Sequence, residues 1–180
     1  FVVLASEKES TVANAINDLE MQADFLDLFN PNLRTVINIH VGGNYGGDFT
    51  GSAKRFNINY SRLSESVRSR LAVENDDKSA GWSIRLLEKH IYQEIGVPLT
   101  YDHHHSRFSK EEDISHESEY LLAKSTWSTL PNEVHYSESM PGEKRLTKHS
   151  DYIEDRIPDF LMEDRSNYII ITKGDCRWSS

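Results

Sequence analysis

The chain has 180 residues and a formal charge of -9, because 29 Asp and Glu outnumber 20 Lys and Arg. Its hydrophobic fraction of 37% excludes an intrinsically disordered chain, and no apolar run approaches the roughly 20 residues of a membrane span. The single cysteine excludes an intrachain disulfide and a zinc site built from several thiolates, which favours a reducing, intracellular compartment. The acidic balance, taken alone, argues against a nucleic-acid partner.

The first part of the chain alternates between helical and strand patterns. Apolar residues at four-three spacing predict an amphipathic helix ending near residues 30–31: Val12, Ile16, Leu19, Ala23 and Leu26. A buried strand is predicted over residues 35–40, where Gly42 and Gly43 stop it. Helices are predicted over 52–60 and 64–70.

The alternation continues to the end of the chain. Strands are predicted over 71–73, 97–101, 133–136 and 168–171, and helices over 82–95 and 112–124. Gly96 is expected to close the helix before it. We interpret His90 and His116 as surface residues, and Trp82 and Trp127 as packing residues.

Strands that alternate with helices predict an α/β fold with a parallel sheet. No Gly-x-Gly-x-x-Gly follows the first strand, so a dinucleotide-binding fold has no specific support. A (β/α)8 TIM barrel usually needs ~250 residues. We therefore expect residues 1–180 to form a single, incomplete TIM barrel domain, its C-terminal five-eighths, without the N-terminal strands and the closing helix.

Chemically capable side chains recur where the predicted strands end. These residues are His40, Glu74, Asp102, His105 and His135, and His149 follows in the next connection. In a parallel α/β barrel such positions converge on one face. Imidazole and carboxylate together suit zinc, manganese or iron, and a carboxylate such as Glu74 is able to bridge two ions. The pattern favours metal-dependent hydrolysis or isomerisation and does not name the substrate.

Five stretches in sequence order resemble successive signatures of the UV damage endonuclease family. They are Ile39-His40-Val41-Gly42-Gly43-Asn44-Tyr45-Gly46, Leu71-Ala72-Val73-Glu74-Asn75-Asp76-Asp77, Val97 to His105, Val134-His135-Tyr136-Ser137 and His149-Ser150-Asp151-Tyr152-Ile153. The start of the chain, Phe1-Val2-Val3-Leu4, is similar to the end of a further family strand.

The resemblance implies a DNA repair endonuclease that nicks damaged double-stranded DNA on the 5′ side of UV photoproducts. It implies up to three divalent ions, commonly manganese, with zinc or magnesium as alternatives, and a monomer when the protein is full length. By this resemblance His40 and Glu74 bind one ion, while Glu74, Asp102 and His135 bind the second and serve as catalytic residues. His105 and His149 then bind the third.

The resemblance also assigns DNA contacts. Phe1 matches the aromatic residue of a lesion-probing pair, and we expect Asn44 and Tyr45 in the loop after the first complete strand to face DNA. Residues 42–47 either cradle a phosphate through backbone N–H groups or simply form a tight turn.

Two departures from the family pattern leave other functions open. Glu133 stands where the family has Lys, and residues 170–173 lack the acid expected on the final strand. One alternative is a metal-dependent sugar isomerase or epimerase, whose barrels place similar residues at the strand ends. The other is a non-catalytic, diverged fragment that binds damaged DNA or takes part in an assembly.

Overall fold

The computed structural model describes residues 2–29, 35–128, 132–164, 167–172 and 175–176. Phe1, expected to contact DNA, lies outside the described residues. Among the described helices, none has both the length and the hydrophobicity needed to cross a membrane.

Helices and strands alternate along the chain as the sequence predicts. The helices are α1 (Glu9–Phe29), α2 (Phe49–Tyr60), α3 (Glu65–Arg68), α4 (Ile84–Leu87), α5 (Gln93–Ile95), α6 (His103–Ser109), α7 (His116–Ser125) and α8 (Asp159–Met162). The strands are β1 (Ile37–Ile39), β2 (Leu71–Glu74), β3 (Leu99–Asp102), β4 (Asn132–Tyr136), β5 (Tyr152–Ile153), β6 (Asn167–Thr172) and β7 (Asp175–Cys176).

Five of these strands form a parallel sheet in the order β1-β2-β3-β4-β6, and β5 pairs with β7 in a small second sheet. Every residue of β2, β3 and β4 is buried, as expected for parallel strands whose two faces are both covered. The prediction of an α/β fold with a parallel sheet is confirmed.

The helices follow their local signals. The apolar stripe predicted for α1 buries Val12, Leu19 and Ala23, together with Ala15. Gly96 ends α5 in the left-handed conformation at φ 71°, so the predicted C-cap is confirmed. A π-helical stretch over Glu88–Tyr92 joins α4 to α5, so the helix predicted over 82–95 is one continuous element that starts two residues later.

Two helices, α6 and α8, are absent from the sequence prediction, and α6 is the one that bears on the site. Directly after β3 the chain turns into α6, because the carboxylate of Asp102 accepts a hydrogen bond from the backbone N–H of His105 and caps the new helix. The following helix begins at His116 behind a Ser115 cap and not at residue 112. The consequence for the site is that His105 is presented by the first turn of a helix.

The surface interpretation of His116 is wrong. Its side chain is half-buried, its Nδ1 lies 2.8 Å from the Ser106 hydroxyl, and its ring packs edge-on against that of His103. His90 is also half-buried. Trp82 is fully buried, as the packing interpretation predicts.

Candidate metal centre

The strand register brings the candidate residues together at the carboxyl edge of the sheet. Asp102 of β3 lies opposite His135 of β4, and Glu74 at the end of β2 lies opposite Thr100. The predicted convergence of strand ends therefore occurs among these residues, and it produces two groups whose potential ligand atoms lie within 4.8 Å of one another.

The first group consists of Glu74, Asp102 and His135, all of which are buried. The Nδ1 atom of His135 is 3.1 Å from Oε2 of Glu74 and 3.9 Å from Oδ2 of Asp102. The Asp102 side chain is completely buried, so bulk water does not stabilise its charge. This group has the composition of a closed divalent-ion site with one nitrogen and several oxygen donors.

The second group consists of His40, Glu74 and His105. Nδ1 of His105 is 3.1 Å from Oε1 of Glu74, and Nε2 of His40 is 4.0 Å from Oε2. The His40 side chain is 41% exposed, whereas those of His105 and Glu74 are buried. The second group is therefore the more open of the two.

Glu74 is common to both groups. Its Oε1 faces His105, and its Oε2 faces His135. A carboxylate with each oxygen directed at a different imidazole is suited to bridge two cations. Two buried acids among three histidines also fit divalent ions electrostatically, because cations offset the cost of burying carboxylates together.

His149 lies beside these groups without joining either. Its Nδ1 is 2.7 Å from the hydroxyl of Ser137, and a bridge between His149 and Ser139 returns this connection to the end of β4. Its ring centroid is 5.4 Å from that of His105. The resemblance pairs His105 with His149, and in the structure His105 is a neighbour of both His149 and Glu74.

An open cleft of about 620 Å³ leads to this cluster. His40, His105 and His149 line it, together with the loops over residues 42–44 and 76–81. All three histidines thus face one cleft of a size that fits a small molecule or part of a polymer.

Several further residues position these candidate ligands, and of them only Glu133 was singled out from the sequence. The Asn75 side chain forms hydrogen bonds with the backbone of Asp102, and the Asn38 amide donates a hydrogen bond to Oε2 of Glu74. Asp76 places Oδ1 3.2 Å from Nδ1 of His40, and Glu133 contacts His135. Asn38 stands two residues before His40, and Glu133 stands two residues before His135. Both positions offer a local signal, because alternate residues of a strand share a face.

The loop after β1 has a strained backbone at Tyr45, and the side-chain amide of Asn44 is hydrogen-bonded within the protein. Asn44 donates to the carbonyl of Ala80 and accepts from the N–H of Gly47, so its side chain joins two loops at the cleft mouth. Tyr45 has φ 45°, and the residue is 43% exposed. The guanidinium carbon of Arg55 lies over its ring, 4.9 Å from the ring centroid. The exposed ring of Tyr45 is thus more accessible to a ligand than the amide of Asn44.

Two further histidines next to the centre are shifted toward the neutral form. Burial lowers the pKa of His103 to about 4, with a smaller contribution from His116. Burial likewise lowers the pKa of His104 to about 4, with His149 as the next cause. Both rings are therefore uncharged at neutral pH and add no positive charge that would repel a cation.

Residues 1–170 match the family model described as UV-endonuclease UvdE. The chain is 32% identical over 156 residues to the UV DNA damage endonuclease of Bacillus velezensis, covering 86% of this chain and 47% of the relative. It is 33% identical to the UV-damage endonuclease of Neurospora crassa (79% and 23% covered) and 34% identical to that of Schizosaccharomyces pombe (88% and 28%). The chain thus spans less than half the length of each of these relatives.

A solved structure described as the crystal structure of SacUVDE has a similar fold. It superposes with a TM-score of 0.79 at 29% sequence identity, and the match covers 97% of this chain and 58% of that one. The likeness extends over nearly all of the present chain.

Proposed function

Since this chain belongs to the UV-endonuclease UvdE family, we propose that the protein is a divalent-metal-dependent DNA repair endonuclease. Its reaction is hydrolysis of a phosphodiester on the 5′ side of UV photoproducts in double-stranded DNA. The observation that carries the proposal is the single carboxylate of Glu74, which is shared by two groups of potential metal ligands.

The residues present fit divalent ions, and manganese is the ion that we propose. Glu74, Asp102 and His135 would hold one ion and His40 with Glu74 another, while His105 and His149 would hold the third. When bound, such ions lower the pKa of coordinated water and neutralise charge that develops on a phosphate.

The protein's own residues supply the shape of the site. Glu74 and Asp102 lie at the buried end, where low solvent access strengthens electrostatic interactions. His40 and His149 line the open cleft, on the side from which a phosphodiester would approach. Glu74, Asp102 and His135 are accordingly the proposed catalytic residues.

Lesion selection would act at the mouth of the cleft. Damaged nucleotides are easier to unstack than intact pairs, so a deep pocket favours them. Tyr45 is the best placed of the described DNA-contact candidates because its ring is exposed, and Asn44 would contribute through the loop geometry that it maintains. The role of Phe1 stays a prediction.

The finer features of the family are part of the same proposal. We propose that the five-stranded parallel sheet belongs to a (β/α)8 barrel, and that the protein acts as an intracellular monomer. Its net charge of -9 does not oppose DNA binding, since part of the acid at the cleft would be offset by bound cations. The family match favours an endonuclease over a sugar isomerase or epimerase.

The test is nicking of UV-irradiated supercoiled plasmid in the presence of Mn²⁺, compared with unirradiated plasmid. Glu74→Gln should reduce nicking by at least about 100-fold, because one uncharged amide replaces the carboxylate common to both groups. Glu119→Gln is the matched control: it changes a fully buried acid that accepts a hydrogen bond from Ser106, outside both groups.

Equal nicking by wild type and Glu74→Gln would overturn the assignment. Absence of nicking together with less than one tightly bound Mn²⁺ per wild-type chain would instead favour the non-catalytic alternative.

A further inference from the structure

Glu133 has a buried partner in the proposed metal centre. Its Oε1 lies 3.0 Å from Nε2 of His135, and both side chains are less than a tenth exposed. The two residues are separated by one position on β4, so their side chains project from the same face of the strand. The acid that departs from the family pattern thus contacts a candidate ligand directly.

The two nitrogens of His135 face different acids. Nδ1 is directed at Glu74 and Asp102, at 3.1 Å and 3.9 Å, whereas Nε2 is directed at Glu133. In a neutral imidazole one nitrogen carries the proton and the other carries the lone pair that binds a metal. Whichever group accepts the N–H bond at one nitrogen therefore decides which nitrogen is available as a ligand.

We propose that Glu133 is a positioning residue that accepts a hydrogen bond from Nε2–H of His135 and thereby directs the Nδ1 lone pair toward Glu74 and Asp102. The inference rests on the proposed metal centre and deepens it by assigning the coordinating atom. A carboxylate in this place fixes both the tautomer and the ring orientation of a ligating histidine, and it makes the opposite nitrogen a better donor.

Glu133 is distinct from the ligands themselves. Neither of the two groups of potential ligands found among the described residues includes it. Its contribution would therefore appear in how well His135 binds a metal. A purely structural ion pair would behave differently, because an imidazolium held between Glu133 and Glu74 carries protons on both nitrogens and leaves no lone pair for a cation.

Nitrogen-15 NMR of the purified protein tests this assignment without a substitution. The probe is Zn²⁺ alone, a diamagnetic ion with affinity for imidazole and carboxylate. We expect His135 to show a protonated Nε2 and a zinc-shifted Nδ1 at saturation. A zinc-shifted Nε2, or a His135 ring that stays doubly protonated while Zn²⁺ binds elsewhere, would overturn the proposal.

Substitutions at Glu133 supply the second measurement. Glu133→Met removes the acceptor at similar volume and should weaken Mn²⁺ binding about 10- to 100-fold, the range seen when a partner of a metal-ligating histidine is lost. Glu133→Gln keeps an oxygen acceptor and should recover part of that affinity. Glu119→Gln, again a buried acid outside the ligand groups, should bind Mn²⁺ like wild type.

Circular dichroism of each variant checks that the fold is retained. If Glu133→Met does not fold, the NMR measurement on the wild-type protein decides between the outcomes. Unchanged Mn²⁺ affinity in a folded Glu133→Met protein would overturn this inference while leaving the endonuclease proposal intact. Failure of the wild-type protein to bind either metal would overturn both.

Discussion

The side-chain amide of Asn75 joins the ends of β2 and β3 through the backbone of Asp102. Its Oδ1 accepts a hydrogen bond from the N–H of Asp102 at 2.8 Å, and its Nδ2 donates to the carbonyl at 3.1 Å. Because Asn75 directly follows Glu74, these two bonds set the separation between the two buried acids of the candidate centre. The carbonyl of Asn75 also lies 2.9 Å from Nδ1 of His105.

We expect Asn75→Ala to lower both stability and metal affinity. The substitution leaves two buried backbone groups of Asp102 without their partner, which should cost about 2–4 kcal/mol in the free energy of unfolding. The freed strand ends should also weaken Mn²⁺ binding about 10-fold or more. Urea denaturation and Mn²⁺ titration measure the two effects.

Asn59→Ala is the matched control for that experiment. Asn59 is buried, donates to the carbonyl of Leu4 and accepts from Arg62, all away from the metal ligands. It should lose comparable stability and retain Mn²⁺ affinity. If both variants bound Mn²⁺ equally well, Asn75 would have a structural role only.

Substitution of the shared carboxylate should remove more bound metal than substitution of its neighbour. Glu74 contributes to both ligand groups, whereas Asp102 contributes to one. Glu74→Gln is therefore expected to reduce tight Mn²⁺ binding at two sites, and Asp102→Asn at one. Electron paramagnetic resonance of free Mn²⁺ during titration gives the number of ions bound per chain, and equal losses in the two variants would contradict the bridging role.

Acid should destabilise the metal-free protein below about pH 6.5. Burial lowers the pKa of His104 in the folded state to about 4, while the unfolded side chain titrates near 6.5. Above 6.5 the ring is neutral in both states and the fold keeps its full stability. As the pH falls from 6.5 toward 4, the unfolded chain binds the proton first, so stability is lost, by about 2 kcal/mol for this residue after reduction for solvent screening.

The measurement for this prediction is urea unfolding in EDTA at intervals between pH 7.5 and 4.5. His104→Phe keeps an aromatic ring beside Phe108 and His149 and cannot be protonated. It should reduce the loss of stability in acid, and a further part of that loss should come from His103 and His116, whose pKa values burial also lowers. An unchanged pH profile in His104→Phe would show that this ring is not the group responsible.

Tyr45 should reveal strain in its backbone when glycine and alanine are compared. At φ 45° the residue occupies the left-handed region, which costs a residue with a Cβ roughly 1–2 kcal/mol. Tyr45→Gly should therefore be more stable than Tyr45→Ala by about 1 kcal/mol, because both lose the ring and only glycine loses the strain. Urea denaturation measures this difference.

The same pair of variants examines the DNA contact. If the exposed Tyr45 ring stacks on DNA, both variants should bind UV-irradiated duplex more weakly than wild type. The loss of affinity should be about the same in the two variants, despite their different stabilities. Wild-type affinity in both would remove Tyr45 from the DNA-contact residues.

Local patterns were sufficient for the order of the five strands of the main sheet and for most of the candidate ligands. The four-three spacing predicted α1, and buried apolar runs predicted the parallel strands. His40, Glu74, Asp102 and His135 were identified because each stands at or near the carboxyl end of such a run. These signals lie within a few residues of one another, and the two periodicities of helix and strand depend on the backbone alone.

The pairings inside the site required the tertiary structure. The bond between Asn75 and Asp102, the contact of the Asn75 carbonyl with His105 and the approach of His105 to Glu74 all connect β2 with β3 or its continuation, about 30 residues further along the chain. Glu133 and His135 are only two residues apart, but the role proposed for their contact depends on Glu74 and Asp102, which lie on the other side of the imidazole ring. Strand register determines which atoms meet, and register is a property of the packed sheet that no local stretch of sequence contains.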